Sequence, residues 1–323
     1  MRILIRADGG NSVGMGHLMR TSVLAGKLEQ YAEITYVCRK AEQYSPGVDW
    51  LQSKGYKVVL TEGRDIVNEL ADKKADCLIT DSYDVDEEYF IKTKGLFPYT
   101  GYIDDLNQHR FMLDFIINQN VYAKDLKYDI NGDAKLFLGV EYAMLRKEFE
   151  SITEKNIRTD LKDILITVGG SDNFNYTQDI ISSIGKSFSG TCLHVVIGPF
   201  FKYKDNLLAI KDSNIIFHQN ADMSALMQNC DVAVTGCGST IYELAACGVP
   251  AIGVVAASNQ NMAADKMQQM GVLFKAQPQE IPLILNKLTY DTRLGISKKA
   301  RQLIDGKGSK RLAEGIINIM RGR

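Results

Sequence analysis

Two series of short apolar runs, separated by amphipathic stretches, organise the chain. In the first series the runs are Ile3-Leu4-Ile5, Ile34-Thr35-Tyr36-Val37-Cys38, Lys57-Val58-Val59-Leu60, Cys77-Leu78-Ile79-Thr80, Tyr99-Thr100-Gly101-Tyr102-Ile103 and Phe115-Ile116-Ile117. Runs this short and this apolar predict strands buried on both faces. Between them, Leu18, Met19, Val23, Leu24 and Leu28 recur at helical spacing, and residues 44–54 and 65–72 predict further helices. Strands alternating with helices predict a parallel sheet covered on both sides.

After a charged stretch without strand pattern, residues 150–162, the pattern begins again. Ile164-Leu165-Ile166-Thr167-Val168, His194-Val195-Val196-Ile197, Ile215-Ile216-Phe217, Val232-Ala233-Val234 and Ala251-Ile252-Gly253-Val254-Val255 are the second set of strands. The tail beyond Pro278 reads as helical, with Ile284, Leu285, Leu288, Leu303, Ile304, Leu312, Ile316 and Ile317 as its apolar positions and Pro282 suited to a first turn. The expected architecture is α/β: two Rossmann-like domains, residues 1–150 and 160–323, joined by a linker and enclosing a cleft.

Composition narrows the function classes. A chain of 323 residues exceeds one ordinary core, in keeping with two domains. Its net charge of −1 offers no attraction to nucleic acid or an anionic membrane. The six cysteines (Cys38, Cys77, Cys192, Cys230, Cys237 and Cys247) form no C-x-x-C pair, which reads as reduced thiols of a cytoplasmic protein. The first residues enter a strand at once, without a signal peptide, and no apolar run is long enough to cross a bilayer.

Candidate chemistry sits at two strand-to-helix corners. The first strand leads through Arg6-Ala7-Asp8-Gly9-Gly10-Asn11-Ser12-Val13-Gly14-Met15-Gly16-His17 into a helix. In an open α/β sheet this corner lies at the carboxyl edge, where ligands bind. Gly14 and Gly16 permit close approach, helix N–H groups face anionic oxygens, and His17 exchanges protons near neutrality. The spacing is not the dinucleotide G-x-G-x-x-G, and a tight turn with a capping histidine is the plainer alternative. The second corner is Thr235-Gly236-Cys237-Gly238-Ser239-Thr240-Ile241-Tyr242-Glu243. Its N–H groups and the hydroxyls of Ser239 and Thr240 suit a diphosphate, and Glu243 suits ribose hydroxyls. A capping box completed by Glu243 is the structural alternative.

Gly-x-Gly-Ser-Thr, the following glutamate, Gly248-Val249-Pro250, a strand and Asn259-Gln260 resemble the donor-site signature of nucleotide-sugar enzymes with the glycosyltransferase-B fold, a group that includes the lipid-II N-acetylglucosaminyltransferase. Arg6-x-Asp8 with Val13-Gly14-x-Gly16-His17-x-x-Arg20 is similar to the nucleotide-sugar hydrolases of pseudaminic acid biosynthesis, which act on UDP-2,4-diacetamido-2,4,6-trideoxy-β-L-altropyranose. Thr80-Asp81-Ser82-Tyr83, Ile103-Asp104-Asp105, the run 118–124, the run 142–149 and Val168-Gly169-Gly170-Ser171-Asp172 extend the resemblance over roughly residues 1–274. Ser82 stands where that family often has histidine, and Gly9-Gly10 where small polar residues are common; both positions bear on the sugar.

The resemblance implies attack of water on the anomeric carbon, rupture of the C1–O bond to UDP, and inversion. His17 is the expected base, with Asp8 or Asp81 orienting it or the water. The resemblance adds Tyr83, Arg146, Gly170, Ser171, Asn259 and Gln260 to Gly14, Gly16, Gly238, Ser239, Thr240 and Glu243 as substrate-binding positions. No cofactor or metal is expected; the partner is a UDP-sugar, not nucleic acid or membrane, and the chain is expected to be a monomer serving surface-glycan synthesis such as flagellin glycosylation. A glycosyltransferase of the same fold and a non-catalytic nucleotide-sugar-binding subunit are the alternatives. Asp84-Val85-Asp86 reads as a helix start rather than a metal site, Asp104-Asp105 as either structural or substrate-binding, Trp50 and Tyr44 as core, and His109, His194 and His218 as ordinary.

Overall fold

The computed structural model describes residues 1–10, 13–63, 65–185, 187–188 and 190–322. Asn11 and Ser12 of the first glycine loop lie outside the described residues. The chain divides into two compact units, residues 1–146 with 307–323 and residues 147–306.

The first unit carries β1 (Arg2–Ala7), β2 (Glu33–Arg39), β3 (Lys57–Thr61), β4 (Cys77–Asp81), β5 (Tyr99–Ile103), β6 (Arg110–Phe111), β7 (Phe115–Asn118), β8 (Asp129–Ile130) and β9 (Lys135–Leu138). Seven of them form a parallel sheet in the order β3-β2-β1-β4-β5-β7-β9, while β6 and β8 pair separately. On one face Ile3, Ile5 and Ala7 pack with Leu18, Leu24 and Leu28 of the helix Gly16–Leu28. On the other, Leu4 and Leu78 pack with Phe90, Tyr102 and Phe111. The short strands 110–111, 129–130 and 135–138 carried no clear pattern in the sequence.

The second unit carries β10 (Asp163–Thr167), β11 (Cys192–Val196), β12 (Ile215–His218), β13 (Val232–Gly236), β14 (Ala251–Val254) and β15 (Leu273–Lys275). Its parallel sheet runs β12-β11-β10-β13-β14-β15. Ile164, Ile166, Val195, Val234 and Ile252 pack with Ile180 and Ile184 of the helix Tyr176–Gly185 and with Leu285 and Ile296.

Both sheets therefore wind outward from a central strand in opposite directions. Each has a switch point, β1 beside β4 and β10 beside β13, where two neighbouring connections leave toward opposite sides. Ala7 is in register with Asp81 at the first, and Thr167 with Thr235 at the second.

Two expectations about boundaries need correction. The final helix, Gly308–Met320, is not part of the second unit. Its stripe of Leu312, Ala313, Ile316 and Ile317 joins the core of the first, and a Cβ on Gly308 would stand 2.3 Å from the Ala143 carbonyl oxygen. The stretch 150–162 is not a free linker. Lys155 is buried, donating to the Met227 and Gln228 carbonyls, and Arg158 grips Asp231 through Nε and Nη2. Its charges found partners in the second unit, which a strand-free pattern does not disclose.

Candidate active site

In the first unit the glycine corner turns by two devices. Gly10 and Gly14 exchange backbone hydrogen bonds of 3.0 and 2.9 Å, with Gly14 at φ +72°. Gly10 also passes so close to the next connection that a Cβ would lie 2.1 Å from the Gln43 carbonyl oxygen. That contact leaves no room for a side chain at Gly10. Gly16 then opens the helix that carries His17 and Arg20 on one face, three residues apart.

His17 Nδ1 lies 2.5 Å from Asp81 Oδ1, at the end of β4. A carboxylate only accepts, so this contact places an imidazole proton on Nδ1. Arg20 holds the same carboxylate, with Nε 2.7 Å from Oδ2 and Nη2 2.6 Å from Oδ1. Its Nη1 reaches both oxygens of Asp105, at 2.9 and 2.8 Å. Tyr83 OH and Asn120 Nδ2 donate to Asp105 at 2.7 and 2.9 Å. The Tyr83 ring meets that of His17 edge to face, centroids 4.8 Å apart.

The electrostatics follow from burial. The Asp81 side chain has no exposure. Burial alone would raise its pKa; Arg20 and His17 more than reverse this and bring it to about 2. Arg20, buried between two carboxylates, is held above its already high value against the opposing effect of burial. Burial and the adjacent Asp105 raise the Tyr83 phenol, so it remains a hydrogen-bond donor.

Asp8, Val13, His17, Arg39, Asp81, Ser82, Tyr83 and Asp84 line a pocket here. Of the two carboxylates expected to assist His17, Asp81 touches it. Asp8 instead accepts from the Arg39 backbone N–H and Nε, each at 2.8 Å, and Arg39 Nη1 reaches Asp84 at 2.6 Å. Asp8 belongs to the pocket wall through an ion pair that the sequence does not announce. Arg6 lies below, buried, with its guanidinium 5.2 Å from the centre of the Tyr89 ring. Asp86 caps its helix by accepting from Tyr89 N. Asp104 closes a turn by accepting from Leu106, Asn107 and Tyr128, a structural role.

In the second unit the corners after β10, β11 and β13 converge almost without side chains. A Cβ on Gly236 would lie 2.7 Å from Val168 O, and one on Gly198 would lie 2.5 Å from both Gly169 O and Gly170 O. Gly169 takes φ +108°. Gly170, Ser171, Gly238, Ser239 and Thr240 thus border the switch point of this sheet. Ser239 is the N-cap of the helix Thr240–Cys247, but its side chain makes no capping hydrogen bond. Glu243 falls one place beyond the box position and is buried. The capping box is absent. Gln260 Oε1 accepts from Ala256 N, and its Nε2 lies 3.8 Å from where a Gly238 Cβ would stand. Asn259 is exposed beside it. Arg146 ends the first stretch of the first unit, half-buried and outside the His17 pocket.

Arg20 and Arg39 are members of the His17 cluster that a reading by motif left without a role. Arg20's signal was its i+3 spacing from His17; Arg39 gave none. Among the described residues no metal-ligating group forms around His17; the one such group is Asp163, Cys192 and His194 in the second unit.

No family model matches the chain. It is 27% identical over 269 residues to an uncharacterised protein of Methanocaldococcus jannaschii, covering 78% of this chain and 55% of that one, so the chain spans only about half the length of that relative. It is 25% identical over 247 residues to the UDP-2,4-diacetamido-2,4,6-trideoxy-beta-L-altropyranose hydrolase of Campylobacter jejuni, covering 75% of this chain and 87% of that one. It is 24% identical over 328 residues to the spore coat polysaccharide biosynthesis protein SpsG of Bacillus subtilis, covering 95% of each. Among solved structures, Acinetobacter baumannii MurG superposes with a TM-score of 0.67 at 14% identity over 98% of this chain and 99% of its own. The calicheamicin glycosyltransferase CalG4 superposes with 0.68 at 15% identity, over 100% and 98%. The fold is that of the glycosyltransferase-B enzymes, two Rossmann-like domains, and the resemblance to the hydrolase stands.

Proposed function

We propose that this chain is an enzyme acting on nucleotide sugars, and specifically a hydrolase of a UDP-activated, N-acetylated deoxy-sugar of the 2,4-diacetamido-2,4,6-trideoxy type. The observation that carries the reading is the His17–Asp81 contact at the β1/β4 switch point. It supplies an imidazole oriented by a carboxylate on Nδ1, at the wall of a pocket. In this reading His17 Nε2 takes a proton from water as that water attacks C1, and the C1–O bond to UDP breaks with inversion. Asp81, ionised throughout, steadies the imidazolium that forms. The N–H groups and hydroxyls of residues 238–240, with Gly170 and Ser171, receive the departing diphosphate, and Glu243 holds the ribose. Tyr83, Arg146, Asn259 and Gln260 contact the substrate; Gly14 and Gly16 keep the corner open for it.

No step requires a metal, because helix N-termini carry the phosphate charge. The protein works as a cytoplasmic monomer, and no helix among its described residues is long and apolar enough to cross a membrane. The solved neighbours favour a second reading, transfer of the sugar to a hydroxyl acceptor. Incubating the purified protein with the UDP-sugar alone separates the two. Release of UDP and free sugar without an acceptor is expected; turnover that begins only when an acceptor is added overturns the hydrolase.

A further inference from the structure

Chemistry-bearing side chains also gather in the second unit, at the other ends of its strands. Asp163 and Cys192 open β10 and β11 and face each other in register. His194 follows Cys192 by two residues, so strand alternation places both on one face. His194 Nε2 lies 3.0 Å from Asp163 Oδ1, and a His194 ring nitrogen, Cys192 Sγ and an Asp163 oxygen all lie within 4.8 Å of one another. All three residues are half-buried, and the thiol is free.

We propose that Asp163, Cys192 and His194 bind one divalent ion of the zinc class. One oxygen, one sulfur and one imidazole nitrogen form the mixed donor set that such an ion prefers, with water completing a tetrahedron. Zinc bonds of about 2.0–2.3 Å hold ligand atoms roughly 3–4 Å apart, so closing the trio takes a movement of about 1 Å. The surroundings match those of a built site. His218 Nε2 meets His194 Nδ1 at 3.1 Å and so fixes the ring from its far side, and Arg158 Nη2 orients Asp163 through Oδ2 at 2.7 Å. Arg158 does not repel the ion unopposed, because Asp231 pairs with it through both oxygens. The carboxylate and the thiolate balance the two positive charges. A plain His194–Asp163 ion pair accounts for two of the residues and leaves Cys192 without a role. Binding displaces the thiol proton to solvent and leaves the His194 ring proton on Nδ1, toward His218, and it ties β10 to β11.

The test uses the full chain, treated with chelator and titrated with Co2+. A thiolate-to-cobalt charge-transfer band is expected, saturating at one ion per chain and removed by added Zn2+. Cys192→Ser should abolish the band while keeping the wild-type circular dichroism. His194→Gln should weaken Co2+ binding at least tenfold; should that variant misfold, Cys192→Ser carries the test alone. Zn2+ should raise the Tm of the wild type and leave that of Cys192→Ser unchanged. Absence of the band in the wild type, its survival in Cys192→Ser, or an equal Zn2+ effect on both proteins overturns the proposal.

Discussion

His17 Nδ1 and Asp81 Oδ1 stand 2.5 Å apart although 64 residues separate them in the chain. The parallel pairing of β1 with β4 makes the contact, because it sets the exit of one strand beside the last residue of the other. Asp81→Asn keeps the size of the side chain and removes its charge. The amide can donate to Nδ1, which moves the ring proton to Nε2 and takes away the base. The expected result is a fall in kcat of about 10²–10⁴-fold with little change in UDP affinity, read by steady-state kinetics and calorimetry.

The same carboxylate gives stability a pH dependence. Its pKa is lowered from 3.8 to about 2 in the folded chain. A group depressed on folding contributes fully above its unfolded value and loses that contribution as pH falls through the folded one. Asp81 therefore supplies roughly 2 kcal/mol at neutral pH, lost between about pH 4 and pH 2. Urea midpoints across this window should fall more steeply for the wild type than for Asp81→Asn; parallel slopes would contradict the burial of an ionised Asp81.

Glu243→Ala should weaken UDP binding by about 1–3 kcal/mol, the worth of one or two charge-assisted hydrogen bonds. Calorimetry and thermal melts together decide: unchanged UDP affinity in a folded variant removes Glu243 from the ribose site.

Chelation separates the two sites. EDTA should leave hydrolysis intact, since the proposed ion lies in the second unit and the His17 pocket relies on protein charges. Loss of turnover on chelation, restored by a divalent ion, would contradict the metal-free chemistry.

Much of this was legible in the chain. Continuous apolar runs located the long strands because a parallel sheet buries both faces, and the two glycine corners marked the carboxyl ends of β1 and β13. What pattern could not supply were contacts made across distance. Arg39 pairs with Asp8, 31 residues away, and so the motif alone could not decide which carboxylate touches His17. The final helix returns to the first unit because Leu312 and Ile316 find their core there, a choice that helical periodicity leaves open. Asp163, Cys192 and His194 lack ligand spacing in sequence and meet only once β10 and β11 align.

Turnover in water labelled with heavy oxygen, without acceptor, tests the central claim most directly when wild type and His17→Asn are compared. Mass spectrometry should find the label in the free sugar and none in UDP, because the C1–O bond is the one that breaks. His17→Asn, which cannot take a proton at neutral pH, should lose about 10²–10⁴-fold in rate while binding UDP normally. Label in UDP, or a folded His17→Asn protein with near wild-type kcat, would contradict the account.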